Sequence, residues 1–109
     1  MGGVSYKTMA GQTLKIQQDV STEAFVYSIQ SADNEVLLAP AGNRKGLMIY
    51  NNSIFTMYIK FGAGVSQESF SVKLQPEATY EMSQNIMFSG DIYAVWDQAD
   101  GSAQVTQLL

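Results

Sequence analysis

Apolar and polar residues alternate along most of this chain in short runs that end at Gly, Pro, Asn or Asp. Phe55-Thr56-Met57-Tyr58-Ile59-Lys60-Phe61 sets Phe55, Met57, Ile59 and Phe61 on one side and Thr56, Tyr58 and Lys60 on the other. That period of two belongs to a half-buried strand. Phe70-Ser71-Val72-Lys73-Leu74 repeats it, with Phe70, Val72 and Leu74 predicted inward. Leu47-Met48-Ile49-Tyr50 is continuously apolar and predicts a strand buried on both faces. Tyr80-Glu81-Met82, Ile92-Tyr93-Ala94-Val95-Trp96 and residues 103–108 extend the series. Turns are predicted at Asn51-Asn52-Ser53, Gly62-Ala63-Gly64, Gln75-Pro76-Glu77 and residues 97–101.

The first forty-odd residues read differently. Residues 1–13 are Gly-rich and aperiodic, with isolated anchors at Val4, Tyr6 and Met9, and predict an extended N-terminal arm. Leu14-Lys15-Ile16-Gln17 alternates and is a candidate strand. Ser21-Thr22-Glu23 offers a weak helix cap, but the alternation of Phe25, Tyr27 and Ile29 with smaller residues favours a strand there. Val36-Leu37-Leu38 is a short apolar strand that stops at Ala39-Pro40.

No helical period persists long enough to compete. Six to eight short strands at roughly 8–12-residue spacing predict an all-β fold, an antiparallel β-sandwich of jelly-roll-like form. It would be one domain over residues 14–109, preceded by the arm. Inward rows from the strands around Met57, Val72 and Ala94 would fill the core, each fully buried side chain contributing ~1.5–3 kcal/mol. Trp96 is the natural central aromatic, and its indole N–H must find an acceptor. Gly46, Gly62 and Gly64 suit positive φ or close strand approach, and Pro76 presets a turn.

Composition narrows the function. The 109 residues include no His and no Cys. The commonest general base, the commonest metal ligands and the most reactive nucleophile are therefore missing, and we expect no enzymatic activity. Net charge is −4, and of six basic residues only Arg44 and Lys45 adjoin. Nothing here neutralises a row of phosphates or an anionic membrane surface, so we expect neither nucleic acid nor membrane as partner. No apolar stretch approaches the ~20 residues of a membrane span, and Met1-Gly2-Gly3-Val4 is no secretory start, which implies synthesis in the cytoplasm. Charged residues make up only 15% of the chain against 46% hydrophobic. That leaves a neutral, polar surface suited to meeting other subunits, as do six Met and six Tyr.

Individual motifs add little chemistry. Asp97-Gln98-Ala99-Asp100-Gly101 lacks the spacing and downstream Glu of a calcium loop and reads as a turn with Gly101 in the left-handed position. Asn51-Asn52-Ser53 fits a glycosylation sequon but reads as a turn. Gly62-Ala63-Gly64-Val65 lacks the Lys and helix of a phosphate loop. Glu77 and Glu81 would act as paired glycosidase acids only across a sugar cleft, and read as solvated edge charges. A Ser–Lys dyad has no motif behind it. Tyr50, Tyr58, Tyr80, Tyr93 and Trp96 could stack sugars from an exposed sheet, but the charge-poor chain favours core and subunit interface. No catalytic, cofactor-binding or metal-ligating residue is assigned, no cofactor is expected, and no small-molecule substrate is implied.

One longer pattern is informative. Arg44-Lys45-Gly46-Leu47-Met48-Ile49-Tyr50-Asn51-Asn52-Ser53 leads into Met57-Tyr58-Ile59-Lys60-Phe61-Gly62-Ala63-Gly64. Phe70-Ser71-Val72-Lys73-Leu74, Tyr80-Glu81-Met82, Asp91-Ile92-Tyr93-Ala94-Val95-Trp96 and Ala99-Asp100-Gly101-Ser102-Ala103-Gln104-Val105-Thr106 follow. Residues 44–109 so read resemble a module of small virion structural proteins of tailed bacteriophages, β-sandwiches found as capsid decoration or cement, in head fibres or in tails. The resemblance implies the strand-and-turn framework of a virion structural protein but not its position on the particle, and we expect a non-enzymatic decoration protein on the capsid exterior. It would bind the major capsid protein and copies of itself, as a homotrimer or another cyclic oligomer, after synthesis in the bacterial host cytoplasm. The arm lies outside the matched stretch, and we expect Val4, Tyr6, Met9, Leu14 and Ile16 to make the partner contacts. The alternative is a tail, baseplate or head-fibre component, with host-glycan recognition.

Overall fold

The computed structural model describes residues 20–109 in full, together with the backbone of residues 4–9 and 12–17. Strands β1 (Val4–Met9) and β2 (Gln12–Gln17) pair antiparallel as a sheet of their own, Val4 opposite Gln17 and Met9 opposite Gln12. β2 contains the strand expected at residues 14–17. β1 falls in the stretch read as an aperiodic arm, where Val4, Tyr6 and Thr8 are strand-forming types with too few apolar neighbours to register as alternation.

Eight further strands build the body: β3 (Ala24–Gln30), β4 (Val36–Ala39), β5 (Gly46–Asn51), β6 (Met57–Phe61), β7 (Val72–Leu74), β8 (Thr79–Met82), β9 (Ile92–Trp96) and β10 (Ser102–Leu108). They form two antiparallel four-stranded sheets, in the orders β3-β10-β5-β8 and β4-β9-β6-β7. The pairing is nested. β3 pairs with β10, β4 with β9, β5 with β8 and β6 with β7, so the chain behaves as one long hairpin rolled over on itself. The β10–β5 and β9–β6 pairings then close each sheet. This is the connectivity of a jelly roll, which resolves the expected sandwich into its topology.

The two inner faces supply one core of Leu38, Leu47, Ile49, Met57, Ile59, Leu74, Met82, Ile92, Ala94, Trp96, Ala103 and Val105, packed with Ala39. The inward parity predicted for Met57, Ile59, Ile92, Ala94 and Trp96 is the observed one. Gly62 (φ 108°) and Gly64 (φ 88°) occupy the left-handed region that glycine tolerates. Gly46 serves close approach instead, since a Cβ there would lie 2.8 Å from Leu108 Cδ1.

Three local expectations need correction. β5 is buried on one face only: Leu47 and Ile49 lie in the core, but Met48 is 38% exposed, because no described layer covers that side of its sheet. Phe70 does not point inward. A bend at Ser71, whose N–H donates to Ile59 O at 2.7 Å, ends the alternation before β7 begins. In the β9–β10 turn the left-handed residue is Asp100 (φ 67°), not Gly101. Gly101 is needed for space, since a Cβ there would fall 2.3 Å from Trp96 Cγ.

Candidate functional site

Two buried polar side chains organise the ends of the sandwich, and both were missed in the sequence. Asn51, at the end of β5 and with no exposed surface, donates from Nδ2 to Phe55 O (2.7 Å), Leu74 O (3.1 Å) and Gln75 O (3.2 Å). Its Oδ1 accepts from Ser53 Oγ (2.7 Å) and from the indole Nε1–H of Trp96 (3.2 Å). The acceptor that Trp96 required is thus an asparagine read as a turn residue. Its inward parity with Leu47 and Ile49 was the available signal.

Arg44 is only 4% exposed at the opposite end. Its guanidinium donates to the backbone carbonyls of Phe88, Pro40 (2.6 Å) and Gly90 (3.1 Å), and to Gln107 Oε1 (3.4 Å). It ties the β4–β5 loop to the β8–β9 loop and to β10. Burial pulls its pKa below the ordinary guanidinium value, opposed by Tyr27 and Asp91. Burial likewise raises the Tyr27 phenol, whose hydroxyl donates to Leu38 O (2.9 Å) and accepts from Gln107 Nε2 (2.9 Å). Nothing near Arg44 in sequence marks it as buried. Both hubs are taken up by backbone carbonyls and neighbouring side chains.

The outer face of the β4-β9-β6-β7 sheet is partly covered. The β6–β7 loop folds back over it, with Gly64 N–H and Val65 N–H both donating to Glu35 Oε1 (2.9 and 3.0 Å). Phe70 meets the Tyr58 ring edge-on at 5.2 Å, Lys73 Nζ lies 5.9 Å from the ring centroid, and Tyr58 is left 8% exposed. Beside this loop opens a depression of roughly 490 Å³ along Asp33, Glu35, Val65, Glu68 and Val95. A second of about 330 Å³ adjoins it through Asp33 and Val95, toward Asp97. No three His, Cys, Asp or Glu among the described residues are grouped so as to hold a metal ion.

The opposite outer face belongs to the β3-β10-β5-β8 sheet. Cross-strand rows run Val26–Thr106–Met48–Glu81 and Ser28–Gln104–Tyr50–Thr79 over β3, β10, β5 and β8. Glu81, on the edge strand β8, is the charged member of these rows. Gln104 Nε2 donates to Ser28 Oγ at 2.7 Å across the surface. Apart from Glu81, these rows mix apolar and neutral polar side chains.

The five aromatics weighed as a sugar platform are dispersed. Tyr50 lies on this outer face and Tyr93 on that of the other sheet, while Tyr58 is covered, Tyr80 packs against the core and Trp96 is buried in it. Val4, Tyr6, Met9, Leu14 and Ile16, the expected partner contacts, belong to β1 and β2, and their side chains lie outside the described residues. Comparison with protein-family models, curated proteins and solved structures finds no match.

Proposed function

We propose that this chain is a non-enzymatic structural protein of a bacteriophage virion, one that decorates and cements the capsid by binding the major capsid protein as an oligomer. The observation that carries this reading is the nearly charge-free outer face of the β3-β10-β5-β8 sheet on a jelly-roll body. The jelly roll is an architecture used by viral capsid domains. The resemblance over residues 44–109 supports a place in the virion, while the capsid exterior and the cyclic oligomer are part of the proposal itself. Function on this reading is additive burial. A rigid sandwich presents a neutral surface, the N-terminal segment reaches a neighbouring subunit, and many copies turn modest contacts into shell stability.

Deleting residues 2–13 tests it. Purified full-length chain should co-sediment with phage heads lacking their decoration protein, and the truncated chain should stay in the supernatant with an unchanged circular dichroism spectrum. Equal occupancy by both chains would remove the arm from the proposal. Sedimentation with isolated tails instead of heads would move the protein to the tail or fibre.

A further inference from the structure

β3 is an edge strand with β10 as its one sheet neighbour. The direction of its free hydrogen-bonding groups follows from the ladder. Glu23 and Leu109 exchange backbone bonds in both directions (3.3 and 2.9 Å), and Ser31 N–H donates to Gly101 O at 2.9 Å. Antiparallel pairs alternate between bonded and non-bonded positions, so Phe25, Tyr27 and Ile29 bond to β10. Ala24, Val26, Ser28 and Gln30 therefore turn their N–H and C=O groups to the outside. No described residue bonds to them there.

Such a row of unpaired groups is a template for another strand, and folded proteins ordinarily guard it. Three of the four body edges are guarded. β8 is four residues long and carries Glu81, and β7 is three residues long and carries Lys73. β4 is broken by a register shift between Leu37 and Ala39. β3 alone has no guard: Ala24-Phe25-Val26-Tyr27-Ser28-Ile29-Gln30 runs seven residues in unbroken register, without a charge, proline or bulge. Val26 is 65% exposed and Phe25 49%.

We propose that the occupant of this edge is the β3 strand of a second copy, paired antiparallel about a two-fold axis at Tyr27. That register sets Val26 opposite the partner's Ser28 and Ala24 opposite the partner's Gln30, all of them positions whose groups point outward. Each such pair exchanges two bonds, whereas Tyr27 meets its own copy at a non-bonded position. Phe25 falls beside the partner's Ile29, and no charge faces a charge. The fit is self-complementary in both bonding and polarity, and it joins the two four-stranded sheets into one continuous sheet. The contact goes beyond the capsid reading and is measured without capsids, so failure of capsid binding leaves it standing.

The experiment combines light scattering with amide hydrogen exchange read by NMR on the full chain. The native chain should be dimeric at high concentration, with the Val26 and Gln30 amides protected as well as those of Phe25, Tyr27 and Ile29. Ser28→Pro removes an outward N–H and leaves the β10 ladder intact, a replacement edge strands tolerate. It should yield a monomer in which Val26 and Gln30 exchange about 100-fold faster or more while the odd-numbered amides stay protected. Should that variant fail to fold, Val26→Lys on the outer face should give the same monomer and the same alternation. A chain that stays monomeric at all concentrations would overturn the proposal. So would a trimer with unprotected Val26 and Gln30 amides, or protection of those amides that persists in the diluted monomer, which would make the chain's own N-terminal segment the occupant.

Discussion

Asn51 shows how much of this sandwich hangs on one amide. Its Nδ2 faces three carbonyls and its Oδ1 accepts two donors, so the side chain needs both a donor and an acceptor end. Asn51→Asp keeps the shape and removes the donor. A carboxylate would then face three carbonyl oxygens in a site with no exposed surface, and its folded pKa would rise above the ~3.9 of an unfolded aspartate. Stability of the variant is then highest below about pH 4, where the carboxyl is protonated in both states, and falls as pH rises through the folded pKa. At neutral pH the loss should be about 3–5 kcal/mol in urea unfolding. Asn51→Leu should lose about 1–3 kcal/mol for each group left unpaired and show no such acid recovery. Equal pH profiles for the two variants would refute the donor argument.

At the scale of elements, the start of the β6–β7 loop is held to the β3–β4 side of the body by one carboxylate, while Lys60 Nζ donating to Ser69 Oγ (2.9 Å) and Phe70 on Tyr58 hold its far end. Glu35 Oε1 accepts from two successive N–H groups, and bonds to a charged acceptor are the stronger kind. Glu35→Ala should release the loop while leaving both sheets intact. Limited proteolysis within residues 62–71 should quicken about tenfold, with far-ultraviolet circular dichroism unchanged. Unaltered cleavage would mean that the anchors at its far end, Phe70 on Tyr58 and Ser69 on Lys60, suffice to hold the loop. This loop also marks where legibility stopped. Strands β6, β9 and β10 could be read from period-two alternation because each has one face on the core, and burial of one face writes that period into sequence, whereas β5 was located by its continuous apolar run. Phe70 could not, because an apolar residue packing on an outer face looks the same as one packing inside. Arg44 and Asn51 were hidden for a related reason: most of their partners are backbone carbonyls, which every sequence contains.

The whole molecule closes late along the chain. β10, its last strand, sits centrally between β3 and β5 and brings Leu108 opposite both Ala24 and Gly46. Nested pairing makes nearly every ladder long-range, so loop-closure entropy is spent before the rewarding contacts form. Trp96, the single tryptophan and 5% exposed in the core, reports the event directly. Refolding followed by its fluorescence should fall in the slow range of all-β domains, about milliseconds to seconds. Removing residues 102–109 takes Ala103 and Val105 from the core and strips β3 of its sheet neighbour while leaving β5 paired on one side. That chain should give a disordered circular dichroism spectrum and no cooperative thermal transition, whereas loss of residues 2–13, which belong to no sheet of the body, should leave the transition in place. A cooperative transition in the chain lacking β10 would mean that the inner ladders β4–β9 and β6–β7 fold as a unit before the outer one closes over them.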